Sequence, residues 1–226
     1  MPRKGTNGKA PRPSDVIPQQ LRRWRKIRGG MSVKELSDRV EALGGDLSRV
    51  IITKIENGHR GISVDEALLL AAALNVPPPV LFFPFESGTK VAVTPKSVIH
   101  PDLAWRWLAG DDPLASTERW TVGAVEWREG QADWERAALP LDLYREHREV
   151  FASAARVELR IDAARRYGTE TDVKKAESRF EDSLIPLARV RRRMELENVK
   201  PPKLLAPRWT PYLRRVDKRL ELEEVS

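Results

Sequence analysis

Cysteine is absent from the 226 residues, which excludes disulfides, thiolate nucleophiles and every zinc site built on sulfur. It suits a reducing cytoplasm. Histidine is scarce: His59, His100 and His147 are the full complement. They lie far apart and form no metal-ligand spacing such as H-E-x-x-H. No glycine-rich phosphate loop and no G-x-S-x-G elbow occurs. Carboxylates are plentiful, but no pattern pairs them for acid–base work. No apolar run approaches the ~18 residues that a membrane-spanning helix needs. The N-terminal stretch is basic but has no apolar core, so it does not read as a secretory signal. The expectation is a protein without metal, cofactor or catalytic residues, located in the cytoplasm.

What the chain does have is unevenly placed positive charge. It carries 40 Lys and Arg against 33 Asp and Glu. Residues 1–85 hold 14 basic and 8 acidic side chains, whereas residues 86–226 hold 26 and 25. The excess therefore sits in the first third, where it suits a polyanionic partner. At 41 % hydrophobic residues the chain has enough apolar surface for one large or two small cores.

The same basic segment contains the clearest local pattern. Ser32 followed by Glu35 is a capping box, and Leu36, Val40 and Leu43 then recur at helical spacing. Gly44 and Gly45 stop that helix. Ser48 can cap a second short helix whose Ile52 and Ile55 point inward, and Gly58 closes it as a C′ residue. The outward residues are Arg49, Val50, Thr53, Lys54 and Asn57, a mixed donor, methyl and cation face of the kind that reads base edges. A preceding helix over residues 15–29 places Ile17, Leu21, Trp24 and Ile27 on one face. A second capping box, Ser63 with Glu66, opens the apolar helix Ala67–Leu74. Pro77, Pro78 and Pro79 end it, and Val80–Phe83 follows.

From about Ile17 to Leu81 the chain resembles the Cro/C1-type (XRE) helix-turn-helix domain of bacterial and phage transcriptional regulators. The resemblance rests on Leu21 and Arg25, on Ser32, Glu35 and Leu36, and on the run Ser48, Arg49, Ile52, Ile55, Glu56 and Gly58. It implies a five-helix, lambda-repressor-like DNA-binding domain with a buried ion pair between Arg25 and Glu56. Two departures are visible. The turn over Glu41–Gly45 is about five residues longer than usual in the family, and Val33 stands where a backbone-contacting Gln is common. The resemblance implies base reading by Arg49, Val50, Thr53 and Lys54 in the major groove. It also implies phosphate positioning by Ser32, Lys34, Ser48, Asn57, His59 and Arg60.

The remaining sequence points to a mainly α protein. Residues 1–14 read as a disordered basic arm, either lying along DNA or free. Residues 15–85 form the DNA-binding domain, and residues 86–103 read as a linker, with room for a small hairpin. Residues 104–200 read as a helical, Trp-rich oligomerisation or sensing domain, and 201–226 as a C-terminal tail. Five of the seven tryptophans are Trp105, Trp107, Trp120, Trp127 and Trp134, read as a packed core in preference to a ligand cage. Leu143, His147, Val150, Ala154, Val157, Ile161 and Ala164 alternate four and three apart, a heptad seam. Gly168 stops that helix. A partner helix follows, carrying Phe180, Leu184 and Leu187, with a kink expected at Pro186. The hairpin over residues 141–199 is expected either to make a homodimer or to pack only on its own chain. The arginines between Arg189 and Arg193 read as a solvated face, with added DNA contact as the rival.

These features predict a sequence-specific binder of double-stranded DNA, a transcription regulator repressing by promoter occlusion through Ser48–Asn57, and associated with the nucleoid when bound. The alternative is a phage immunity repressor or antitoxin whose C-terminal region binds a protein partner or additional DNA.

Overall fold

The computed structural model describes residues 9–114, 124–204 and 207–224, with side chains described outside 124–130 and 223–224. The chain divides into two compact units, Met1–Gln131 and Ala132–Ser226.

In the first unit five helices form the core: α1 (Pro13–Ile27), α2 (Val33–Ala42), α3 (Arg49–Glu56), α4 (Val64–Leu74) and α5 (Pro79–Phe82). Local chemistry sets their ends. Ser32 Oγ accepts the Glu35 N–H while Glu35 reaches back to the Ser32 N–H, and Ser63 and Glu66 repeat the arrangement on α4. Both α2 and α3 close in a Schellman motif. Gly44 and Gly58 adopt φ of 80° and 67°. Gly45 N–H then bonds Val40 C=O, and His59 N–H bonds Lys54 C=O. The longer turn after α2 is not slack. Leu47 is buried and its carbonyl accepts the Ser37 hydroxyl, and a Cβ on Gly45 would press on Leu69 and Val40. Leu21, Leu36, Val40, Ile52, Ile55, Leu70, Leu74 and Leu81 fill the core.

Several expected boundaries move. The helix placed at 15–29 begins at Pro13, capped by Arg12 and Asp15. Pro11 C=O also accepts the Ala92 N–H at 2.9 Å, so residues 9–14 are structured and the expected arm loses its last six residues. Ile27 is exposed, because the helix end turns it out of the core that Ile17 and Leu21 enter. The expected linker 86–103 is instead a part of the unit. Strands β1 (Val91–Thr94) and β2 (Ser97–Ile99) pair antiparallel, Val91 opposite Ile99. Helix α6 (Pro101–Ala109) follows. Val91, Ile99 and Ala104 meet Val16 and Phe83 in a second apolar cluster, so this segment gains more by burial than by serving as a spacer.

The second unit contains most of α7 (Ala124–Tyr167), with α8 (Glu170–Leu196) and α9 (Thr210–Glu224). The seam faces inward: Leu143, His147, Ala154 and Ile161 are buried, and Phe180, Leu184 and Leu187 of α8 share the cluster. Helix α8 runs unbroken through Pro186. The expected C-terminal tail is another correction. Trp209, Leu213, Val216 and Leu220 recur at helical spacing, all buried in the same core. Trp209 lies 4.7 Å from the Phe151 ring and 5.3 Å from that of Phe180. Of the tryptophans at seven-residue spacing, Trp134 is half-buried, while Trp120 and the Trp127 side chain lie outside the described residues.

Candidate nucleic-acid interface

Helix α3 has two faces of opposite character. Ile52 and Ile55 enter the core with no exposed surface. Arg49, Val50, Thr53 and Lys54 are all exposed, Val50 at 57 %. Neither Arg49 nor Lys54 has an ion-pair partner among the described residues, so two cations and a branched apolar side chain share one outward stripe. Thr53 Oγ1 donates to Arg49 C=O at 2.8 Å, which commits its hydroxyl hydrogen and leaves its methyl and lone pairs outward.

The base of α3 is fixed by charge. Glu56 is buried, and the Arg25 guanidinium grips it with two bonds, Nε to Oε1 at 2.9 Å and Nη2 to Oε2 at 3.0 Å. Two parallel N–H···O⁻ bonds constrain distance and plane together, so α1 sets how α3 sits. The Glu56 carboxylate holds the Arg25 guanidinium even more firmly protonated than usual. Arg22, which no local sequence pattern singles out, completes the clamp. Its Nη2 donates to Glu56 C=O at 3.0 Å and to Asn57 Oδ1 at 2.8 Å. The only sequence signal for it is its place three residues before Arg25 on α1.

The expected phosphate-positioning residues flank that helix. Ser48 Oγ accepts the Ile51 N–H and Ser32 Oγ the Glu35 N–H, so both hydroxyls serve as caps with their hydrogens still available. Lys34 pairs with Asp38 at 2.9 Å and Arg60 with Glu66 at 2.7 Å; each cation is exposed and shares its charge. Asp38 raises the affinity of Lys34 for its proton, and Arg60 then Ser63 hold the Glu66 carboxyl below its ordinary range. His59 is exposed directly after the Schellman turn. The structure thus groups Arg49, Val50, Thr53 and Lys54 on one stripe, with Asn57, His59 and Arg60 at its C-terminal end and Ser48 at its start. Ser32 and Lys34 stand at the start of α2. Among the described residues no cluster of His, Asp and Glu has the makings of a metal site.

A family model for helix-turn-helix proteins matches residues 21–81. Residues 21–81 are a helix-turn-helix domain of the Cro/C1 type. The match supports a DNA-binding transcription regulator. The matched span runs from Leu21 to Leu81, the first and last buried leucines of the principal core. The β-hairpin and α6 lie beyond the helix-turn-helix domain. No curated protein and no solved structure matches the chain. No described helix is long and apolar enough to cross a membrane.

Proposed function

We propose that the chain is a sequence-specific repressor that places α3 in the major groove of duplex DNA and blocks a promoter by occupying it. The supporting observation is the outward stripe of α3, left without ionic partners among the described residues while its other face and its Glu56 are locked into the core. In this reading Arg49 makes the bidentate base contact, Val50 meets a thymine methyl, and Thr53 and Lys54 complete the base-reading set. Ser32, Lys34, Ser48, Asn57, His59 and Arg60 fix register on phosphates. Lys34 and Arg60 each relinquish a carboxylate for a phosphate, an exchange that costs little at exposed pairs. The protein works in the cytoplasm, on the nucleoid. A homodimer belongs to the same reading, but the heptad seam is used inside the chain. What remains for a twin on α7 and α8 includes Leu141, Tyr144, Leu159, Tyr167 and Leu196, all exposed.

Selection of bound fragments from a random duplex pool, followed by titration of the recovered site against salt, tests the function. With about four to six phosphates neutralised per domain, log K falls against log[salt] with a slope of roughly −4 to −5. Failure to enrich any sequence, or a slope near zero, overturns it.

A further inference from the structure

The first unit contains an open cavity of about 300 Å³ that the DNA-facing surface does not use. Its walls come from five elements. Ile17 of α1, Ile62 and Val64 around the start of α4, Phe82 of α5, Val93 of β1 and Trp107 of α6 all line it. None of the residues lining it is charged, in a chain of which 32 % is charged. Val64 and Leu108 leave 71 % and 45 % of their surfaces to solvent at its edge. The hairpin and α6 that wall it lie outside the matched helix-turn-helix segment.

We propose that this cavity binds a small, uncharged, largely apolar molecule, and that the bound molecule weakens the hold of the helix-turn-helix on DNA. The occupant is small because the volume lies at the low end of the ~300–1,000 Å³ typical of ligand pockets. A partner protein needs far more surface, on the order of 1,200–2,000 Å² for a standard interface. It is uncharged because no lining group offsets the desolvation of a charge. Two serines, Ser14 and Ser63, supply the polar handles. Ser63 Oγ accepts the Glu66 N–H, and its hydroxyl hydrogen is free to meet an acceptor on the ligand.

The route to DNA is short. Ser63 N–H donates to Glu66 Oε2 at 3.0 Å, and Glu66 Oε1 accepts from Arg60 Nη2 at 2.7 Å. A molecule pressing on Ile62, Ser63 and Val64 therefore acts on the carboxylate that holds Arg60, a residue assigned above to phosphate positioning. This second part rests on the proposed DNA-binding mode; the ligand site itself does not. Ligand and DNA must then weaken each other by the same factor.

Calorimetric titration of the full chain with 2-naphthol, neutral at pH 7, tests the site, with 2-naphthoate as its charged counterpart. One saturable site per chain is expected, at least tenfold weaker for 2-naphthoate. Val93→Phe, which fills the cavity, and Leu108→Trp, which blocks the mouth from an exposed position, should each weaken 2-naphthol at least tenfold. Absence of a saturable site, equal uptake of the naphthoate, or indifference to both substitutions in chains that keep the parental melting temperature overturns the site. Concentration-dependent self-association that excludes 2-naphthol overturns it too, by making a second copy the occupant. Saturating 2-naphthol should weaken operator binding at least threefold, and Glu66→Gln should abolish that effect while leaving uptake intact. Uptake with unchanged operator affinity overturns the coupling. A chain that takes up 2-naphthol as expected but binds no DNA refutes the proposed function and leaves the site standing.

Discussion

The first unit carries a carboxylate inside its core, Glu56, at 7 % exposure with Arg25 clamped on it. The second closes its core with aromatic rings, Trp209 against Phe151 and Phe180, and keeps pairs such as Arg165–Glu177 and Arg219–Asp182 toward solvent. The difference shows what each unit must fix. A recognition helix has to present its stripe at a set angle, and a two-pronged ion pair dictates angle in a way that rounded apolar surfaces do not. A helical bundle only has to fill volume, and interlocking rings do that. Breakage should follow the same division.

Glu56→Ala should give one of the two largest losses. Leaving the half-buried Arg25 without its buried partner should approach the cost of a broken buried pair, about 3–5 kcal/mol. Hydrogen exchange should show α1 and α3 losing protection while α8 and α9 keep theirs. Equal loss in both units would mean that they unfold as one. Trp209→Ala is the mirror experiment. Emptying that site costs about 3–5 kcal/mol, read as lost protection in α8 and α9 with DNA affinity unchanged. A fall in DNA affinity would break the division. Arg49→Ala comes next. It should cost about 1–3 kcal/mol at one base pair, by loss of a bidentate base contact, and leave both cores intact by the same exchange measurement. Binding to single-base variants of the operator checks it. A uniform loss across all variants would move Arg49 to the phosphate set.

The smallest effect separates the units by pH. His147 is buried in the second unit with Arg191 Nη1 3.2 Å from its Nε2. Burial first, and Arg191 second, push its pKa below the ordinary value of 6.5. The unfolded chain therefore takes up that proton first, and the second unit loses stability as pH falls from neutrality through 6.5. Asp217, raised by burial and by Glu221, acts in the opposite sense near ordinary carboxylate values. In the first unit Glu35 is held below the ordinary 4.5 by its capping bonds to Ser32, and Glu66 by Arg60 first and its capping bond to Ser63 second. Their contribution is complete above 4.5 and disappears only as pH drops below it. Urea titrations between pH 7.5 and 5.5, followed by exchange in each unit, should show decline in the second unit alone, removed by His147→Asn.

Legibility in the sequence followed the range of the interactions. Helices α2, α3 and α4 could be read from Ser32, Ser48, Ser63, Gly44 and Gly58, because a cap is decided within four residues. The outward stripe of α3 followed from the inward spacing of Ile52 and Ile55. Arg22 escaped because Asn57, 35 residues away, gives it its task, and no local pattern marks such a pair. The small hairpin for which residues 86–103 leave room is present, but Pro84, Gly88, Pro95 and Pro101 suggest a linker and mask the packing of Val91 and Ile99 into the unit. Helix α9 was missed for a similar reason. Trp209, Leu213, Val216 and Leu220 already formed an apolar stripe, but the prolines just before them suggested an end to folded structure.

The stretch from Gly44 to Leu47 bears on transplantation. Recognition helices are natural cassettes for rewriting operator preference, and the obvious cassette here would be Arg49–Glu56. Gly45 lies against Leu69 and Val40, Leu47 plugs the core, and Ser37 is tied to Leu47. Replacing this turn by a shorter one would leave a hole above Leu69 and strip Ser37 of its acceptor. The exchangeable piece is therefore Val40 through His59, bounded by one Schellman closure at each end. A donor sequence grafted at those seams inherits the angle set by Arg25 only if it brings its own Glu at position 56.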